Sequence, residues 1–198
     1  MMNLENCELF SGLSSDYIYK LLEKTPHKIK HYFKNEFIYT QFDFSHELGI
    51  ILKGNVFVYK VLYNGDKFLL NKLNKNSLLG ASCIYGNTDI FPAEVQAVKT
   101  TDILFLSQDS LKKLFLLEPL IMKHFLDFMS NKVFFLNNKI EMLALPSIKE
   151  RLEWLIAKEI YTLDNLSKVS KTQLCYELGT SRSSLYRALN ELYESSKY

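Results

Sequence analysis

Three patterns of apolar and polar positions succeed one another along this chain. A short lead-in from Leu4 to about Lys24 reads as helical. From Lys28 to Leu106 the apolar runs are short, rich in Ile, Val, Phe and Tyr, and punctuated by Gly, Asn and Asp. Residues 37–39, 49–52, 56–62, 67–73, 93–98 and 103–106 read as strands. Asn64-Gly65 lies between two of them and suits a type I′ turn, whose central residues both need positive φ, so a hairpin is predicted there. Gly54 predicts another tight turn. Many short strands with regular turn signals point to a sandwich or barrel.

Beyond residue 108 the period becomes helical. A short helix is predicted over 109–115, and Glu118-Pro119 opens a long one, because proline is tolerated in a first helical turn. Met122, Leu126, Met129, Val133, Leu136, Ile140 and Leu143 then recur at spacings of 4 and 3, an unbroken apolar heptad. Ile121, Phe125, Phe128 and Phe135 form a second stripe on an adjoining face. Two apolar faces need two partners, the strand-rich domain for one and a second copy of the helix for the other, so a homodimer is predicted. A single helix buried within a monomer is the competing reading. Pro146 breaks this helix, and Ser147 with Glu150 forms a capping box for the next, predicted over 147–161 with Leu152, Leu155, Ile156 and Ile160 on one face. The chain thus divides into residues 1–107 (strands and lead-in), 108–145 (short helix and dimer helix) and 146–198 (a helical head).

Within the head, Ser170 and Gln173 form another cap signature before a two-turn helix over 172–178. Gly179 ends it, since the chain must there turn through positive φ. Ser181 caps a third helix reaching at least Leu192. Leu174, Leu178, Leu185 and Leu189 are spaced to interlock the two helices, with Cys175 as a small packing residue between them. The outward face of the last helix carries Arg182, Ser183, Ser184 and Arg187. Arginine pairs bidentately with guanine, and short hydroxyl residues pair with bases or phosphates. The helix N-terminus and Ser181 add phosphate-directed N–H groups. This is a helix-turn-helix built to read double-stranded DNA in the major groove. A plain three-helix packing module with solvating Arg and Ser is the bland alternative.

Composition changes this picture little. The 198 residues are 47% hydrophobic and carry a formal charge of +2, which does not advertise nucleic acid by itself. Over 165–190, however, Lys168, Lys171, Arg182 and Arg187 face only Glu177, a net +3 where DNA is to bind. No apolar run approaches the ~18–20 residues of a membrane span, and the N-terminus lacks a secretion signal, so a soluble, cytoplasmic protein is expected. Cys7, Cys83 and Cys175 include no Cys-x-x-Cys pair, and His27, His31, His46 and His124 form no ligand pattern, so neither metal nor cofactor is predicted. No Ser-His-Asp set, carboxylate pair or phosphate loop marks an enzyme.

The run from Ser170 to Leu192 closely resembles the DNA-binding helices of the Crp/Fnr transcription regulators. Ile51 to Val56, the Asn64-Gly65 hairpin, Leu78-Leu79-Gly80 and Pro92 to Ala97 resemble that family's effector-binding β-roll, and the heptad helix sits where the family has its dimer helix. The resemblance implies an α+β fold: a jelly-roll-like double-stranded β-helix, a dimerisation helix and a winged helix-turn-helix. It implies a homodimer on a pseudo-palindromic operator, with RNA polymerase as a further partner. DNA contacts are implied at Lys171, Thr172, Ser181, Arg182, Ser183, Ser184, Tyr186 and Arg187, and an effector pocket at Gly80, Ala81, Ser82, Ile84, Tyr85, Phe91, Pro92 and Ala93.

The sequence departs from the family at both sites. Cyclic-nucleotide-binding members carry a Glu after the cassette glycine for the ribose and a later Arg for the phosphate. Here Ala81 and Ser82 follow Gly80, Phe91-Pro92-Ala93 stands where the arginine belongs, and no Lys or Arg occurs from Asn76 to Val98. Cyclic AMP and cyclic GMP are therefore not expected to bind. That leaves a different effector, apolar or aromatic, or no effector and a β-roll serving as scaffold. The oxygen-sensing branch's N-terminal cysteine cluster is missing, and Cys83 reads as a structural thiol rather than a redox sensor. In the reading head, Ser183 stands where members often carry Glu, and Tyr186 replaces a usually small residue, so the operator should differ from the best-known half-site. The sequence to Tyr198 does not reach the expected β-hairpin wing. The rival function is a β-roll module acting on a ligand or a protein, with a degenerate helix-turn-helix.

Overall fold

The structure, a computed structural model, describes residues 4–40, 42, 45–61, 63, 65, 67–87 and 90–195. The chain forms two compact units, 1–130 and 131–198. The division falls within the long helix rather than at Pro146, because Met142 of that helix is buried in the core of the second unit. Among the described residues, no helix is long and apolar enough to cross a membrane.

The first unit has the expected α+β architecture. Among the described residues, a 3-10 turn (Glu8–Phe10) and α1 (Ser15–Glu23) lead into eight strands: β1 (Lys28–Tyr32), β2 (Phe37–Tyr39), β3 (Glu47–Lys53), β4 (Asn55–Val61), β5 (Lys67–Asn74), β6 (Leu78–Leu79), β7 (Glu94–Ala97) and β8 (Thr101–Ser107). They make two four-stranded antiparallel sheets, ordered β1-β8-β3-β6 and β2-β7-β4-β5. The turn at Gly54 therefore joins strands of different sheets. At φ +91° it lies so close to β8 that a Cβ would fall 2.3 Å from Thr101 Oγ1, which only glycine avoids. The β4–β5 hairpin runs from Asn55↔Asn74 to Val61↔Lys67, with a bulge at Val58/Tyr59. Asn64, and with it the predicted two-residue turn, lies outside the described residues. Two strands escape the sequence pattern. β1 is an edge strand whose first four residues are all exposed, so it shows no alternation, and β6 is only two residues long.

Side chains alternating into the roll form one cluster between the sheets: Tyr39, Ile51, Val56, Leu79, Phe91, Val95, Ile103 and Phe105 are all buried. A second cluster lies under the helices, where Phe10, Ile18, Leu22, Leu48, Ile84, Leu104 and Leu106 meet Leu111 and Leu114 of α2 (Gln108–Leu117) and Ile121 and Phe125 of α3 (Pro119–Ala144). Each fully buried aliphatic or aromatic side chain contributes roughly 1.5–3 kcal/mol of transfer free energy.

The predicted second stripe on α3 is buried only in part. Ile121 and Phe125 are buried and Phe128 packs against their cluster, but Phe135 is 61% exposed. Every residue from Asn131 to Asn138 is exposed. The cluster that covers the stripe ends near Phe128 and Met129, so the same periodicity has no partner farther along.

The second unit adds α4 (Ile148–Ala157), α5 (Leu163–Leu166), α6 (Lys171–Leu178) and α7 (Arg182–Ser195). The Ser147–Glu150 capping box is present. The predicted run to Tyr161 is shorter: Glu159 adopts φ +57°, and Ile160 N–H donates back to the Leu155 carbonyl, a Schellman-type stop. Ile160 is consequently exposed, not part of the helix's apolar face. Leu152, Leu155, Leu166, Leu174, Leu178, Leu185, Leu189 and Leu192 make the core.

Candidate nucleic-acid interface

The helix-turn-helix is built from α6, a left-handed turn at Gly179 (φ +62°) and α7. Leu174, Leu178, Leu185 and Leu189 are buried between the helices, and Cys175 packs half-buried beside them. Ser181 caps α7: its Oγ accepts from Ser184 N–H at 3.3 Å, and its carbonyl accepts from Leu185 N–H. The expected Ser170–Gln173 box does not form. Ser170 makes no side-chain cap bond, and Gln173 Nε2 instead donates to Glu177 Oε1 at 3.0 Å. An ionised acceptor one helical turn away makes the stronger hydrogen bond.

With Leu185, Ala188, Leu189 and Leu192 buried, the 3.6-residue period leaves one outward face on α7. Arg182, Ser183, Tyr186, Arg187 and Asn190 are exposed on it, and Ser181 is exposed at its start. Asn190 was not singled out from the sequence. Its signal was there, four residues on from Tyr186 and seven from Ser183, and asparagine can pair with adenine. The hydroxyls of Ser181, Ser183 and Ser184 lie within 3.1 Å of one another in pairs through Ser181. Arg182 Nη2 donates to Thr172 Oγ1 at 2.8 Å. Lys171, by contrast, turns back to the carbonyls of Leu166 and Ser167 at the end of α5.

The acid that sequence placed against these bases is occupied. The Glu177 carboxylate accepts from Tyr161 OH at 2.8 Å as well as from Gln173, and burial with that hydrogen bond pushes the Tyr161 phenol up to about 12. The scaffold around α6 is held by two cations. Arg151 donates to the carbonyls of Leu143, Leu145 and Leu178, ending two helices at once. Lys139 donates to the Glu177 carbonyl, and its partial burial lowers its pKa.

The residues predicted for the effector pocket are divided among the two buried clusters and the surface. Gly80 (φ +77°) starts a tight turn in which Cys83 and Ile84 N–H both donate to its carbonyl at 3.0 Å. Ala81 and Ile84 are buried with the helical cluster, while Phe91 and Ala93 are buried between the sheets. Ser82 and Pro92 are exposed, and Tyr85 is exposed with its ring 6.2 Å from that of Phe125. Phe91 lies with its ring centroid 4.9 Å from Tyr39. Two lysines unseen in the local sequence reach this stretch through strand pairing. Lys60 of β4 donates to the Pro92 carbonyl at 3.0 Å, and Lys67 of β5 pairs with Glu94 at 2.6 Å. Cys83 is half-buried beside the inter-sheet cluster, and burial pushes the Cys7 thiol up to about 11. Among the described residues, no group of three His, Cys, Asp or Glu could hold a metal ion.

Comparison with known proteins agrees with this architecture. Residues 29–117 match the cyclic nucleotide-binding domain family. No curated protein sequence matches the chain. Among solved structures, the catabolite activator protein of Thermus thermophilus is 20% identical with a TM-score of 0.62, over 96% of this chain and 88% of that one. A CooA variant from Carboxydothermus hydrogenoformans is 18% identical with a TM-score of 0.64, over 92% and 82%. The c-di-GMP-responsive global regulator CLP of Xanthomonas campestris is 17% identical with a TM-score of 0.61, over 92% and 93%. This protein therefore carries a match to the cyclic nucleotide-binding domain family over residues 29–117, within the fold of the Crp/Fnr-type transcription regulators.

Proposed function

We propose that this protein is a homodimeric, sequence-specific DNA-binding transcription regulator of the Crp/Fnr type, working in the cytoplasm. The observation that carries this reading is the exposed row Arg182, Ser183, Tyr186, Arg187 on a capped helix whose opposite face is buried. Arg182 reads a base edge bidentately, Ser183 takes a less discriminating base contact, and Arg187 binds a base or phosphate. Ser181, Ser184 and the first N–H groups of α7 hold a phosphate. Lys171 is occupied at the end of α5 and is a weaker candidate for DNA contact. A single recognition helix supplies little affinity, so two heads on a pseudo-palindrome are needed. The exposed heptad positions Val133, Leu136 and Ile140 on α3 supply the seam. RNA polymerase is the remaining proposed partner.

The roll does not take cyclic AMP or cyclic GMP in this reading. Phe91 and Ala93 fill the inter-sheet space where the cassette arginine is missing, and Lys60 and Lys67 already serve protein acceptors. A phosphate there would lose hydration without gaining a free cation. Selection from a random duplex library with the full chain tests DNA reading: enrichment of a two-fold-symmetric site is expected, and sequence-independent binding throughout would refute it. Calorimetric titration with cyclic AMP, cyclic GMP and c-di-GMP tests the roll, with no heat of binding expected at micromolar concentrations. Saturable micromolar binding of either mononucleotide would overturn the effector reading and leave the DNA reading standing.

A further inference from the structure

Arg182 leaves the surface of α7 with one nitrogen already engaged. Its Nη2 donates to Thr172 Oγ1 at 2.8 Å, linking the start of α7 to the start of α6. Both residues are exposed, so burial does not enforce this contact. The tight turn at Gly179 and the leucine contacts between α6 and α7 bring them together. A guanidinium carries five N–H donors in one rigid plane. Thr172 uses one on Nη2. Whichever of its two hydrogens is used, a complete two-donor edge remains, either Nη1 with Nη2 or Nε with Nη2.

That remaining edge is what a guanine requires, since its O6 and N7 are read by two parallel donors. A phosphate, in contrast, accepts an arginine from many directions. An arginine free to rotate loses side-chain entropy when it docks, and one already held by a neighbour loses less. We infer that Thr172 is the positioning residue for Arg182: its hydroxyl orients the guanidinium for a base edge and does not itself contact DNA. This rests on the DNA-reading proposal above. It assigns Thr172 to sequence discrimination and not to overall affinity.

The test uses the full chain and the variants Thr172→Val, Thr172→Ser and Arg182→Ala. Wild-type protein is first taken through duplex selection. Failure to enrich any sequence overturns the DNA reading itself, and this inference with it. With an operator in hand, fluorescence-anisotropy titrations compare that operator with unrelated duplex. Thr172→Val, which removes the hydroxyl while keeping the shape, is expected to weaken operator binding about ten-fold. Binding to unrelated DNA should not change. The lost preference should fall on the same base pair that Arg182→Ala relaxes, and Thr172→Ser should restore it. Equal weakening on both duplexes would make Thr172 a phosphate contact and overturn the inference, as would an unchanged operator preference. Nitrogen-15 spectra of the DNA-free chain give an independent check. Rotation of the Arg182 guanidinium should be hindered in wild type and in Thr172→Ser but free in Thr172→Val. Equal rotation in all three overturns the inference.

Discussion

The described residues between Gly80 and Ala93 and those of the helix α7 differ in where their side chains lie. In the first, Ala81, Ile84, Phe91 and Ala93 are buried in two separate cores. In the second, Arg182, Ser183, Tyr186, Arg187 and Asn190 stand exposed over a buried leucine layer. Burying apolar side chains stabilises the fold, and keeping polar ones exposed preserves contact groups for a partner. The described residues between Gly80 and Ala93 take the first use and α7 the second.

Four changes would break or sharpen this contrast. The largest effect should come from Phe91→Ala, which opens a cavity between the sheets and is expected to destabilise the roll by about 3–5 kcal/mol in denaturant unfolding. A loss under about 1 kcal/mol would mean that the segment is not structural after all. Next comes the double change Val133→Glu and Ile140→Glu, which places charges in the proposed α3 seam. Analytical ultracentrifugation should find a monomer, and operator affinity should drop by roughly 100-fold as two tethered heads become independent. A stable dimer would place the seam elsewhere. Arg187→Ala should weaken operator binding by ~1–3 kcal/mol without altering thermal unfolding. An unchanged affinity would remove Arg187 from the contact set. The smallest effect is expected from Gly179→Ala, at about 1 kcal/mol of head stability. The new Cβ would sit at φ +62° and 3.2 Å from Leu143 Cδ2. A neutral result would show that the turn between α6 and α7 can relax.

Periodicity was most informative where an element buries one face. The heads of α4 and α7, the leucine layer, the stop at Gly179 and six of the eight strands were legible because burial imposes a period of 3.6 or 2 on the side chains. β1 was not, because an edge strand reading Lys-Ile-Lys-His-Tyr, with its side chains mostly in solvent, has no alternation to display. The stop of α4 at Lys158 was hidden for another reason. It uses a left-handed Glu159 where glycine would have been the signal.

The sequence by itself determined that residues 171–195 carry a helix-turn-helix with an arginine- and serine-bearing outer face, and that no Lys or Arg stands between Asn76 and Val98. Both are statements about residue identity at local spacing, and local spacing is what a sequence carries. Tertiary structure alone decided which side chains share a surroundings. It placed Ile84 and Phe91 in different cores, brought Lys60 and Lys67 to a stretch without cations of its own, and joined Thr172 to Arg182 across ten residues. Such contacts follow from strand order and helix crossing, which set distances between residues that no period along the chain connects.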